Sequence, residues 1–221
     1  MTLKEYSLRE IKHARTKIAI MNALIAALEQ SRFDDISIKR ICKNVEISEG
    51  TFFNYFPEKI DIIHFFIHAL LLKAVWQAQR SVPEQHKLSF INAVFENLSG
   101  AIQNANIMYQ MIAAMINQRE LPKNGAITAI ERELLYPGCE GIENVRASDI
   151  ETFFMESLKG ALKNGELPKS VNLEDVVVSL MTLLGGTLLA TKFADNDNKN
   201  LTYHFRRQLR ILWNGIGTKN S

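Results

Sequence analysis

A chain of 221 residues, 47% of them hydrophobic, can bury one large core or two modest ones and is too apolar for a disordered protein. Its formal net charge of +2 is too small to imply a nucleic-acid partner by bulk electrostatics, so any such role has to rest on where the charges sit. The two cysteines, Cys42 and Cys139, form no disulfide framework, and the charged N-terminal stretch does not read as a secretory signal. The expected setting is therefore reducing and cytoplasmic.

Hydrophobic periodicity predicts helices throughout and no convincing strand. Ile11, Ile18, Met21, Ile25 and Leu28 mark a first long helix that ends near Ser31, before Asp34 and Asp35. Ser37 then caps a short helix whose apolar positions are Ile38, Ile41, Cys42 and Val45, with Lys39, Arg40 and Lys43 on its outer side. After a break at Glu46 and Ile47, Ser48 caps a third helix predicted over Glu49–Phe56, stopped by Pro57. A connector helix is expected from about Glu58 to Ser81, with Ile60, Ile63, His64, Ile67, Leu71 and Ala74 along one side. Further helices are predicted over Glu84–Ala105, Ile107–Arg119, Gly125–Leu135, Ser148–Asn164, Leu173–Ala194 and Lys199–Gly215, divided by Pro122, by Pro137-Gly138 and by Gly165 with Pro168. The longest uncharged run, Val176 to Thr191, falls short of the roughly 18 apolar residues of a membrane span and is expected to be a buried helix.

Two short helices joined by a tight turn form the geometry that reads duplex DNA. Ser37 to Lys59 also resembles, without insertion or deletion, the helix-turn-helix pattern of the tetracycline-repressor (TetR) family of bacterial transcription regulators. Ser37 stands for the family's threonine, Ile41-Cys42 for Ile-Ala, and Val45-Glu46-Ile47-Ser48 for Ala-Gly-Val-Ser. Gly50, Thr51, Phe53, Tyr55, Phe56 and Lys59 follow in register. Two departures stand out: Glu46 replaces the turn glycine, at a cost of up to about 1 kcal/mol if that position is left-handed, and Phe53 replaces a tyrosine. The resemblance implies an all-α fold with a three-helix DNA-binding domain at residues 1–57. A larger ligand-binding and dimerisation domain of about nine helices would follow at residues 58–221.

Within that frame the groove-facing candidates are Glu49, Gly50, Thr51, Phe53 and Asn54. Thr51 can touch a thymine methyl or donate a hydrogen bond, Asn54 can pair with adenine or hold phosphate, Glu49 can accept from a cytosine amino group, and Gly50 permits close approach. Glu49–Phe56 contains no arginine or lysine, so any bidentate guanine contact has to come from Lys39 or Arg40. Phosphate contacts are expected from Lys43, Ser48 and Lys59, from the arm residues Lys12, Arg15 and Lys17, and from Tyr55 through its hydroxyl. The first twenty residues add Lys4 and Arg9 against Glu5 and Glu10. Phe52 and Phe56, four apart, read as core against the first helix.

The resemblance further implies an effector cavity. The candidates to line it are Met108, Met111, Met115, Phe153 and Phe154, whose adaptable thioethers and rings suit an apolar ligand and equally suit plain core. It also implies a homodimer through the Leu173–Ala194 and Leu201–Gly215 helices. Gly185-Gly186 would there permit close approach of a partner helix, or else mark a kink or a tight contact within one subunit. His64 and His68 are four apart, but they face no second matching pair, and no metal or cofactor is expected. No phosphate loop, nucleophile elbow or Cys-x-x-Cys pair is present, so the chain is not expected to be an enzyme. The expected function is a ligand-responsive regulator, a repressor, that binds a palindromic double-stranded DNA operator as a homodimer and is released by a small, largely apolar effector. The alternative is a DNA-bound adaptor that recruits a protein without any small ligand.

Overall fold

The computed structural model describes residues 6–83, 85–102, 104–118, 126–146, 149–193 and 201–217. The expected helix limits at Glu84, Arg119, Gly125, Ser148, Ala194 and Lys199, the divider Pro122 and the charges of Lys4 and Glu5 lie outside them. Among the described residues all regular structure is helical. In chain order the helices are α1 (Leu8–Leu28), α2 (Ile38–Val45), α3 (Glu49–Phe53), α4 (Lys59–Ser81), α5 (Lys87–Ala101), α6 (Ala105–Ile116), α7 (Ala129–Leu135), α8 (Ile150–Lys163), α9 (Leu173–Phe193) and α10 (Leu201–Ile216). Short 3₁₀ turns occupy Phe33–Asp35 and Ile142–Asn144. Seven α-helices therefore follow α3 among the described residues, one for each segment predicted after Pro57.

The chain packs as two compact units, Met1–Ala69 with Asn106–Val145, and Leu70–Ala105 with Arg146–Ser221. These are units of packing, whereas the expected boundary after residue 57 is a division by role. The first half of α4 and all of α6 and α7 pack with the three N-terminal helices. Ile20, Leu24 and Leu28 of α1, Ile41 of α2, Phe52 of α3, Ile62 and Ile63 of α4 and Met111 of α6 form one buried cluster.

Polar side chains hold this first unit together at points where burial alone would not set the register. Gln110 of α6 donates from Nε2 to the Leu28 carbonyl (2.9 Å) and accepts at Oε1 from the Phe33 N–H (3.1 Å), joining the end of α1 to the 3₁₀ turn. Thr128 and Glu131 form a capping box on α7. The second Glu131 oxygen pairs with Lys17 of α1 at 3.0 Å, the two side chains being 2% and 16% exposed. The Lys17 ammonium also lies 4.4 Å from the ring centre of Phe65. Tyr136 donates to the Ala69 carbonyl at 2.6 Å, and its burial raises the phenol's pKa.

In the second unit, Phe95 stacks on Phe154 with ring centres 5.6 Å apart and meets Phe205 edge-on at 5.2 Å. This cluster ties α5, α8 and α10 together. Glu166 accepts from the Lys87 and Leu88 N–H groups at 2.8 and 3.0 Å, satisfying two amides at the start of α5 that have no partner within the helix. Arg206 of α10 grips Glu96 of α5 through both carboxylate oxygens, at 2.6 and 2.7 Å.

Candidate nucleic-acid interface

Local chemistry accounts for each turn of the helix pair. The Ser37 hydroxyl accepts from the Arg40 N–H at 3.2 Å and starts α2. Glu46 ends it in the left-handed region, at φ 58° and ψ 43°; among the described residues no other non-glycine has positive φ. The Ile47 N–H returns to the Cys42 carbonyl at 3.1 Å, closing the helix end as such caps do. The departure from glycine thus sits at the one position where glycine would be favoured, and the turn forms with its strain in place.

Ser48 starts α3 by accepting from the Thr51 N–H at 3.1 Å, and its hydroxyl lies 2.8 Å from that of Thr51. Thr51 is half-buried, so the hydroxyl expected at a base edge is engaged in the cap of its own helix. α3 closes at Phe53, earlier than the predicted Phe56: Asn54 and Tyr55 turn, with the Tyr55 and Phe56 amides both donating to the Phe52 carbonyl at 2.9 and 3.1 Å. The reason is tertiary, since Phe52 and Phe56 are both core residues, 0% and 2% exposed, and the turn directs both rings inward.

Lys39, Arg40, Lys43, Ser48, Glu49, Gly50, Phe53 and Asn54 are all exposed, as are Arg9, Lys12 and Arg15 on α1. The Arg40 guanidinium reaches back to the Ser31 hydroxyl at 2.9 Å. Tyr55 is half-buried and packs its ring on His13 of α1, centres 4.6 Å apart. An alanine Cβ built at Gly50 would meet nothing closer than the Ser48 hydroxyl at 3.9 Å, so the fold itself does not require glycine there.

Two expected phosphate contacts are occupied internally. Lys59 donates to the Phe33 and Ile36 carbonyls at 2.6 and 2.8 Å, with its ammonium 4.2 Å from the Phe33 ring centre. Burial lowers its pKa, while Asp34 and Asp35 act in the opposite direction. Lys59 therefore pins the segment between α1 and α2 to the start of α4. Lys17 is paired with Glu131, as described above. Sequence reasoning missed both roles because the acceptors are main-chain carbonyls and a carboxylate far along the chain. The Thr128-x-x-Glu131 spacing was a legible sign for the capping half of Glu131 alone.

The residues nominated for an effector cavity are core within their own units. Met111 is fully buried and Met108 and Met115 pack against the first unit's cluster. Phe154 stacks on Phe95, and Phe153 lies 5.8 Å from Phe90. None of the five lines the groove of about 320 Å³ between α9 and α10, which is bounded by Thr182, Gly186, Thr187, Thr191, His204 and Gln208 among others. His64 is buried, and its Nε2 has no hydrogen-bond partner. Burial lowers its pKa and Asp61 opposes the shift. Among the described residues no group of three potential metal ligands gathers.

The α9–α10 pair leaves apolar side chains in solvent. Val178, Met181, Phe193, Tyr203 and Ile211 are all exposed, and Gly186 is exposed with no atom within 4 Å of a built Cβ. α9 runs through Gly185-Gly186, and a Cβ built at either glycine meets nothing within 4 Å, so of the readings left open for that pair, a tight contact within the subunit has no support among the described residues.

No family model matches the chain, and no curated protein matches it by sequence. Solved structures do. FadR of Thermus thermophilus, a TetR-family transcriptional repressor in complex with lauroyl-CoA, superposes with a TM-score of 0.63 at 18% identity, covering 93% of this chain and 97% of that one. NemR of Escherichia coli in its reduced form gives 0.58 at 14% identity, covering 93% and 100%. The TetR regulator TylP of Streptomyces fradiae gives 0.53 at 15% identity, covering 92% and 87%.

Proposed function

The chain has the fold of TetR-family transcription regulators, and on that premise we propose that it is a DNA-binding regulator. In this reading it binds a palindromic operator as a homodimer and releases it when a small, largely apolar effector binds. The observation that carries the reading is the exposed set on α2 and α3. Lys39, Arg40 and Lys43 are exposed and, among the described residues, form no ion pair with a carboxylate, beside an α3 that exposes Glu49, Gly50 and Phe53. Arg9, Lys12 and Arg15 extend the same sign of charge along α1, which suits phosphate contacts that fix register without reading sequence. Lys59 and Lys17 serve instead as internal anchors within the first unit.

Dimerisation is assigned to α9 and α10. An exposed apolar face of this kind is unusual on a monomer and fits a partner of the same chemistry. In a two-fold assembly the two α3 helices would enter successive major grooves about 34 Å apart. An effector acts by preferring a state in which that spacing is lost, and its power is limited to its differential affinity for the two states. The lauroyl chain of the acyl-CoA held by the Thermus thermophilus protein supports an effector with a substantial apolar part. The site of action would be the cytoplasm, with the protein working by binding rather than by catalysis.

The test is binding of purified protein to genomic fragments, with a salt titration and sequencing of what is retained. The expected result is one palindromic site bound with a steep salt dependence. Weak, sequence-blind binding would overturn the regulator reading.

A further inference from the structure

We propose that Phe53 is a sequence-reading residue, whose ring packs on the 5-methyl group of a thymine in each operator half-site. The proposal rests on the regulator reading above and deepens it.

Phe53 is 49% exposed, whereas its neighbour Phe52 is fully buried, although both belong to the five-residue α3. The fold therefore uses one ring and leaves the other in water. At about 100° per residue, Glu49, Gly50 and Phe53 fall within about 100° of arc on α3, and all three are exposed. Phe53 lies between the other two on that arc, and Gly50, on one side of it, presents no side chain. Since the fold does not itself require glycine there, the gap is open to an approaching surface, and a base edge can come close to the ring.

The ring is also held in place. It meets the buried Phe52 ring edge-on, centres 5.4 Å apart at 88°, a favoured aromatic geometry on an immobile support. A phenylalanine can neither donate to phosphate nor bond to a base edge. Along the major groove, donors and acceptors alternate, and the methyl of thymine is the apolar group on offer. Set against any other edge, the ring would strip water from a polar atom without replacing its hydrogen bond. Thr51, the other residue expected to touch that methyl, is half-buried with its hydroxyl 2.8 Å from that of Ser48, whereas Phe53 presents the more exposed apolar surface.

The experiment uses the full-length protein and its own operator, recovered by sequencing bound fragments. Each thymine of one half-site is replaced in turn by deoxyuridine, which removes only the methyl. The expected result is one position at which affinity falls roughly four-fold, the loss of one buried methyl, with the other positions unchanged. Phe53→Ala should bind thymine and deoxyuridine operators equally, and Phe53→Leu, which keeps an apolar contact, should retain part of the difference. Circular dichroism of both variants should match the parent. Specific binding with no sensitive thymine, or with a sensitivity that persists in Phe53→Ala, would overturn the role of Phe53 while leaving the regulator intact. Absence of any specific site would overturn the regulator reading and this proposal with it.

Discussion

The pair α2–α3 and the pair α9–α10 expose themselves in opposite ways. On the first pair Ile41, Cys42 and Phe52 are buried and Ile38 and Val45 half-buried, the exposed positions are mostly charged, polar or glycine, and a single ring, Phe53, stays in solvent. On the second, apolar side chains point outward along both helices. The contrast is sharpest between the two longest apolar helices. The apolar window of α4 is 56% buried, but the apolar window of α9 is only 28% buried. Similar composition has been put to different use: α4 fills the core, and α9 carries apolar surface that the described residues do not cover. A polar outer face suits a charged, hydrated partner, and an apolar one suits a partner that excludes water.

The largest effect that would sharpen this contrast is on assembly. Ile211→Asp combined with Met181→Asp places charges on the uncovered face, and burial of an unpaired charge should weaken dimerisation by roughly 30-fold or more. Mass from light scattering coupled to size-exclusion should move to the protomer's value while helicity is retained. An unchanged mass would remove α9–α10 as the dimer face.

A smaller effect tests how the first unit is held. Glu131→Ala strands Lys17 against Phe65 and removes the Glu131 half of the α7 capping box, so unfolding free energy should fall by about 3 kcal/mol, as expected for breaking a buried ion pair. Urea denaturation of the single variant and of Lys17→Met/Glu131→Leu would separate the terms. The double variant, with no charge left unpaired, should recover much of the loss.

The smallest effect concerns the turn. Glu46→Gly relieves a left-handed glutamate and should stabilise the protein by up to about 1 kcal/mol, read as a higher urea midpoint at unchanged slope. A lower midpoint would mean that Glu46 makes up its backbone strain through its side chain.

Much of the helix-turn-helix was legible because its signals are local. Ser37, Ser48 and the break at Glu46 act within four residues of themselves, and the structure places both caps and the left-handed turn where the spacing predicted them. The helix α3 was read too long because its end depends on where Phe56 packs. Lys17 and Lys59 were read as phosphate contacts because a lysine near a DNA-binding motif looks solvated until its acceptors are known. Those acceptors, Glu131 and the Phe33 and Ile36 carbonyls, lie at sequence separations that no periodicity reports. The methionines of α6 carried no sign of which core they would fill, since an apolar helix face does not name its neighbour.

The sequence by itself determined the helical class, several helix limits, the positions of the two caps and the strained turn, and the basic outer side of α2, all of which follow from chemistry within one or two helical turns. Only the tertiary structure decided which cations are spent inside the protein, which of two adjacent phenylalanines faces water, and which apolar helix is left uncovered. Each of these depends on the partners a side chain meets after the chain has folded back on itself, and burial is a property of that meeting rather than of the residue.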